Sequence, residues 1–235
     1  MLRGGANFLK SHTACAGERR SAAPIGIMSF CRQVSAFAAL VIALLLPRDA
    51  RAVMLQQSFV FDSAGGCQVH YAWSVPKECM GVMGAVRDCF APGTPVWMDV
   101  AAAKRHFASF PALRVLGASR SDSGANVALR LAVGAAEARA AFSSGAFGAF
   151  SLAPSASAIG DMEFRAALPA LRGDARPRRE LISELAGGVD LRIVVLVPTG
   201  VIETTGQKVR FNQVQWHISS DDYLRGDMPE IFLRW

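Results

Sequence analysis

Residues 191–198 read LRIVVLVP. From Leu191 to Val197 the run is almost entirely aliphatic and mostly β-branched, broken only by Arg192. A segment that apolar does not alternate between core and solvent, so it predicts a central strand covered on both faces. Pro198 has no N–H to offer a ladder and ends the strand. Thr204-Thr205-Gly206 turns the chain, and Val209, Phe211, then Val214, Trp216 and Ile218 return. The switch from odd to even apolar positions at Asn212-Gln213 predicts a bulge or a break. Ile231-Phe232-Leu233 predicts a short closing strand.

Upstream, the same grammar repeats. Phe59 and Phe61 alternate with polar neighbours, Ser63-Ala64-Gly65-Gly66 supplies a turn, and Cys67, Val69, Tyr71 and Trp73 share one face of a return strand. A helix is predicted from Thr94-Pro95, with Val96, Val100, Ala103, Phe107 and Phe110 on one stripe. Leu113–Ala118 and the alternation of Val127, Leu129, Leu131 and Val133 predict a second hairpin across Ser121–Gly124. AAEARAAF after Gly134 predicts a short helix, Phe147–Leu168 a third hairpin across Pro154–Gly160, and Pro177 opens another helix stopped by Gly187-Gly188. The fold class expected is α+β: antiparallel β-hairpins alternating with short helices packed on one sheet face.

The chain has 235 residues, 51% of them hydrophobic, with 25 Lys and Arg against 19 Asp and Glu. That balance is globular, and the excess positive charge sits at one end. Val34–Leu46 reads VSAFAALVIALLL, follows Arg32, and leads into Pro47-Arg48-Asp49-Ala50-Arg51-Ala52. A short apolar run with a basic flank and small residues at −3 and −1 is a signal peptide, cleaved here after Ala52 with Ala50 at −3. The competing reading is a buried core helix. Residues 1–52 carry seven basic and two acidic side chains, so 18 basic against 17 acidic remain from Val53 onward, a net charge of +1. Nothing in that near-neutral body pulls globally on nucleic acid.

The organisation expected is a cleaved targeting presequence over 1–52, with the signal peptide at about 28–52, and a single domain over 53–235. Either translation starts at Met28, or 1–27 is a transit peptide and 28–52 a lumenal signal. The first route leads to a periplasmic or secreted, extracytoplasmic protein, the second to an organelle lumen such as the thylakoid. No further run after Val53 is long and apolar enough to predict a transmembrane helix.

Cys67, Cys79 and Cys89 remain after cleavage. Cys79 and Cys89 bracket a loop that a disulfide closes readily in an oxidising compartment. A metal site from Cys67, His70, Cys79 and Cys89 fails on geometry: Cys67 and His70 lie three apart on a strand, on opposite faces, and the spacing matches no common zinc pattern.

One stretch resembles a known family. Val194–Gly206, with Val209, Asn212, Val214 and Trp216 behind it, is similar to the closing segment of the LppM-type envelope domain: an apolar strand, a Pro/Gly break, a V-x-x-T-x-G turn and a V-x-W strand. Val75-Pro76-Lys77-Glu78 fits the family's element after the first hairpin, and the resemblance extends over 55–220. It implies an exported, usually membrane-tethered domain, sometimes linked to glycolipid binding, with no catalytic motif to carry over. This chain departs in lacking a lipid-attachment cysteine and a transmembrane helix before Trp235.

No nucleophile elbow, phosphate loop or ligand cluster accompanies His70, His106 and His217, so neither a catalytic residue nor a cofactor is expected. Arg172, Arg176, Arg178 and Arg179 form a basic cluster before a helix, able to meet anionic headgroups or an acidic partner. The alternative is a solvated loop in a chain whose mature part uses fifteen Arg and three Lys. Two Arg-Gly-Asp triplets, at 172–174 and 225–227, are short enough to arise by chance. The expected function is an exported non-enzymatic domain binding a lipid, another amphipathic ligand or an envelope protein between its sheet and helices. The alternative is a structural or assembly subunit of a membrane-associated complex, pairing through its sheet edges and Ile231–Trp235.

Overall fold

The computed structural model describes residues 53–82, 98–168, 188–225 and 228–235. The chain divides into two units, Met1–Leu46 and Pro47–Trp235, and every described residue belongs to the second.

The aliphatic run at 191–197 becomes an interior strand. It is part of β7 (Val189–Leu196), the fifth of seven strands in the order β3-β4-β2-β1-β7-β10-β9. The others are β1 (Val53–Phe61), β2 (Cys67–Pro76), β3 (Arg114–Ser123), β4 (Asn126–Ala135), β9 (Gln207–Arg210) and β10 (Gln213–Ser219). β1 pairs antiparallel with β2, from Met54 opposite Ser74 to Phe61 opposite Cys67. β2 pairs with β4, and β4 with β3, in the same sense. The expected register break lies between Gln213 and Val214, where β10 meets β9.

Two features depart from hairpins on one sheet face. β1 pairs with β7 in parallel, Val53 opposite Val189 through Val60 opposite Leu196. A parallel pair needs a long crossover and is stable where both strands are well covered, and β1 is buried at eight of its nine positions. The two partners lie more than 130 residues apart, so local periodicity carries no trace of their pairing. A second, four-stranded sheet also forms, in the order β5-β6-β11-β8, from β5 (Phe150–Pro154), β6 (Met162–Ala166), β8 (Glu203–Thr204) and β11 (Ile231–Arg234). The class is α+β, with sheet predominating over helix.

Helices are short. A 3₁₀ segment (Lys77–Val82) follows β2; α1 spans Val100–Ala108, α2 Ala138–Ser143 and α3 Ser220–Arg225. α1 starts six residues after the expected Thr94-Pro95 signal, which lies outside the described residues. Asp99 caps it, its carboxylate accepting the Ala101 and Ala102 N–H groups at 2.7 and 3.3 Å. Ala103 and Phe107, on the predicted stripe, are fully buried.

The core is aromatic. Phe59 on β1 lies 4.9 Å from the Phe150 ring, 5.0 Å from Phe164, 5.7 Å from Phe142 and 6.2 Å from Phe147. Tilted and edge-on rings at these separations each contribute about 0.5–1.5 kcal/mol beyond simple burial. Phe147 and Phe150, in the stretch expected to form the third hairpin, are buried core residues. A buried polar pair enters this layer: Gln57 Nε2 donates to the Tyr71 hydroxyl at 3.2 Å, both side chains being buried.

Thr204-Thr205-Gly206 is the joint between the two sheets. Thr204 Oγ1 donates to the Phe232 carbonyl at 3.0 Å. Thr205 Oγ1 donates to the Glu230 carbonyl at 2.6 Å and accepts the Phe232 N–H at 3.1 Å and the Trp216 indole N–H at 3.2 Å. Gly206 then passes directly beneath Trp216. A Cβ there would stand 2.5 Å from both Trp216 Cε2 and Val214 Cγ1, so the position has room only for hydrogen.

Candidate functional site

Because the layer against the seven-stranded sheet is filled by rings, open volume is found at one end of the strands. A cleft of about 610 Å³ lies where β1 ends, where α2 begins, and where the β5–β6 and β7–β8 loops converge on Trp235. Its large apolar lining residues are Phe61, Leu152, Met162, Ile202 and Trp235. Phe61 and Trp235 hold each other at 5.0 Å between ring centroids, and Trp235 is pinned by reciprocal backbone bonds to Met162 of 3.1 and 2.8 Å.

The rest of the lining is largely polar or glycine. It includes Asp62, Ser63, Gly65, Gly66, Arg139, Asp161 and Thr199. Asp62 Oδ1 accepts the N–H groups of Ala64 and Gly66 at 2.9 and 2.8 Å, which fixes the β1–β2 turn. Gly65 sits at φ +88°, where a side chain would strain the backbone. Its carbonyl accepts the Ala138 N–H at 2.9 Å, tying the turn to the start of α2. A second depression of about 580 Å³ shares Gly65, Ala138, Arg139 and Leu152 with the cleft.

The β5–β6 loop and the start of β8, beside the cleft, are braced against each other. Ile159, beside Gly160 in the β5–β6 loop, is fully exposed, and Ile202 is 52% exposed. Arg234 links the two sides: one guanidinium nitrogen donates to Ser157 Oγ at 2.6 Å, and the other lies 3.1 Å from the Glu203 carboxylate. In the first loop Ser155 Oγ donates to Glu163 Oε1 at 2.7 Å, and Arg165 reaches Glu163 Oε2 at 2.8 Å. The Ser155 hydroxyl, followed by Arg165, holds the Glu163 carboxyl below the usual range for a glutamate.

Most residues singled out from sequence lie elsewhere. Ala50, Ala52, Cys89, Arg172, Arg176, Arg178 and Arg179 fall outside the described residues, as do the cleavage site and the Arg cluster they define. Cys79 is described and, like Cys67, is a buried free thiol; among the described residues there is no disulfide. Burial, then the Asp62 charge, pushes the Cys67 thiol up to about 12. His217 projects from the outer face, as alternation along β10 requires, and its Nε2 lies 2.8 Å from Asp190 Oδ1. Arg192 shares that carboxylate at 3.1 Å, which makes the group a surface ion-pair cluster. Among the described residues no three His, Cys, Asp or Glu side chains converge as a metal site, and no helix is long and apolar enough to cross a membrane.

The cleft itself escaped the sequence reading. Its lining comes from six separate segments, several of which show locally only a turn signal such as Gly65-Gly66, Gly160 or Pro198–Gly200. The one further hint was a large aromatic, Trp235, immediately after a predicted strand.

The chain matches no family model and no curated protein. Among solved structures it is similar to the folded domain of LppM from Mycobacterium tuberculosis, determined by NMR. The two share 15% identity over 81% of this chain and 92% of that one, with a TM-score of 0.41. The resemblance in structure is thus weak.

Proposed function

We propose that this is an exported, non-enzymatic domain that binds a lipid or another amphipathic ligand in the Phe61–Trp235 cleft. The observation that carries the reading is that one cleft of about 610 Å³ is lined both by large apolar side chains and by polar, turn-backbone residues. Pockets of this size suit small amphipathic molecules, whose chain and head need opposite surroundings. Arg139 and the turn at Asp62–Gly66 stand where a polar head would lie; Phe61, Leu152, Met162 and Trp235 stand where a chain would lie.

Trp235 makes the reading measurable. A doxyl-labelled fatty acid titrated into the full chain is expected to quench tryptophan emission saturably, with the saturable part lost in Trp235→Phe. Native mass spectrometry of the protein from its own source is expected to show a co-purifying lipid. Quenching that is linear in probe and unchanged in Trp235→Phe defeats the proposal.

A second reading, a structural or assembly subunit of a membrane-associated complex, is favoured by one observation. β3 is a ten-residue strand at the free edge of the larger sheet, the kind of edge to which another chain's strand adds. A stoichiometric protein partner in the same mass spectra, without lipid, would select it.

A further inference from the structure

The outer edge of the seven-stranded sheet ends in an unusual hairpin tip. β9 and β10 are joined through Phe211-Asn212, and the tip reads Lys208-Val209-Arg210-Phe211. Phe211 is 75% exposed and Val209 46%. Large apolar side chains at a strand turn cost solubility, and a polar residue would serve the turn at least as well.

These side chains are exposed yet firmly held. Val197 N–H donates to the Asn212 carbonyl at 3.0 Å, Asn212 Nδ2 returns a bond to the Val197 carbonyl at 3.2 Å, and Val201 N–H donates to the Phe211 carbonyl at 2.9 Å. Lys208 Nζ adds a bond to the Val201 carbonyl at 3.2 Å. Gly200 passes under the Phe211 ring, where a Cβ would stand 3.9 Å from the ring carbon. The tip and the 197–202 loop therefore form one rigid ledge that presents Phe211, Val209 and Ile202 to solvent.

Charge indicates what the ledge meets. Over 197–212 the ionisable side chains are Glu203, Lys208 and Arg210. Glu203 lies 3.1 Å from Arg234, and Lys208 and Arg210 place two cationic side chains in the tip beside Val209 and Phe211. An aromatic and aliphatic tip flanked by Lys and Arg matches an anionic bilayer surface, where the rings enter the interface and the cations meet headgroups.

We propose that the β9–β10 tip, with Ile202, docks the protein on an anionic lipid bilayer. This goes beyond ligand binding in the cleft and does not rest on it. The test is co-sedimentation of the full chain with vesicles of phosphatidylcholine alone or with phosphatidylglycerol added. Expected is binding to the anionic vesicles that weakens with salt, a drop of roughly fivefold for each of Lys208→Glu and Arg210→Glu, and a drop of roughly tenfold or more for Phe211→Ser. Phe211 is exposed, so its variant should keep the wild-type thermal unfolding midpoint, and Val209→Ser provides a second reading of the same contact. Equal binding to neutral and anionic vesicles overturns the proposal, and so does anionic binding that Phe211→Ser and Val209→Ser leave intact. Because the Trp235-dependent part of the quenching reads the cleft, where Phe211 and Val209 are not lining residues, loss of one result leaves the other interpretable.

Discussion

Thr205 Oγ1 accepts the indole N–H of Trp216 at 3.2 Å while donating to the Glu230 carbonyl at 2.6 Å. One hydroxyl therefore joins β10 of the larger sheet to the strand-leading segment of the smaller one. Thr205→Val keeps the shape and removes the hydroxyl, leaving the Trp216 N–H unmet in a buried ring. The expected loss is about 1–3 kcal/mol in denaturant unfolding, with Thr205→Ser retaining most of it. Equal midpoints for the valine variant and the wild type would remove Thr205 from this role.

Gly206 sets a steric limit next to that bond. A methyl group would meet Trp216 and Val214 at 2.5 Å, neither of which has space to retreat. Gly206→Ala is expected to lower stability by about 1–3 kcal/mol through overpacking. It should also change the near-ultraviolet circular dichroism of the Trp216 environment.

The buried Gln57–Tyr71 pair predicts a thermodynamic cycle. Tyr71→Phe strands the Gln57 amide and Gln57→Leu strands the Tyr71 hydroxyl, each at a cost of about 1–3 kcal/mol. The double variant is expected to recover much of that loss, since neither apolar replacement leaves a polar atom unmet. Strictly additive losses in urea titrations would contradict the pairing.

Cys67 links burial to pH. Its thiol is pushed up to about 12 from 9.0, by burial first and the Asp62 charge second. A group that ionises later when folded favours the native state fully below pH 9.0, and that contribution is lost as pH rises toward 12. Stability should therefore fall across this alkaline window, and less steeply in Cys67→Ala. In the native state at pH 8, Cys67 should resist iodoacetamide and react only on unfolding, as mass mapping of the labelled peptide would show.

Much of the strand content was legible because it is local. The alternations at Val127–Val133 and Cys67–Trp73, the unbroken run at Leu191–Val197 and the phase change before Val214 all became strands or the expected bulge. The Thr94-Pro95 start signal lies outside the described residues, and the cap of α1 at Asp99 shows itself only in bonds to the folded backbone. The candidate site was not legible. Phe61, Leu152, Ile202 and Trp235 belong to four separate stretches, and each reads alone as a strand end or a turn.

Sequence alone determined the periodicities, the punctuation by proline and glycine, and the near-neutral balance of the chain beyond Val53, since these depend on neighbours within a few residues. Tertiary structure alone decided that β1 lies parallel to β7, that a second sheet closes on the Phe59 cluster, and that segments distant in sequence leave a cleft beside Trp235. Pairing between strands separated by most of the domain is selected by the total apolar surface covered and the backbone bonds completed. Those quantities exist only once the whole chain has collapsed.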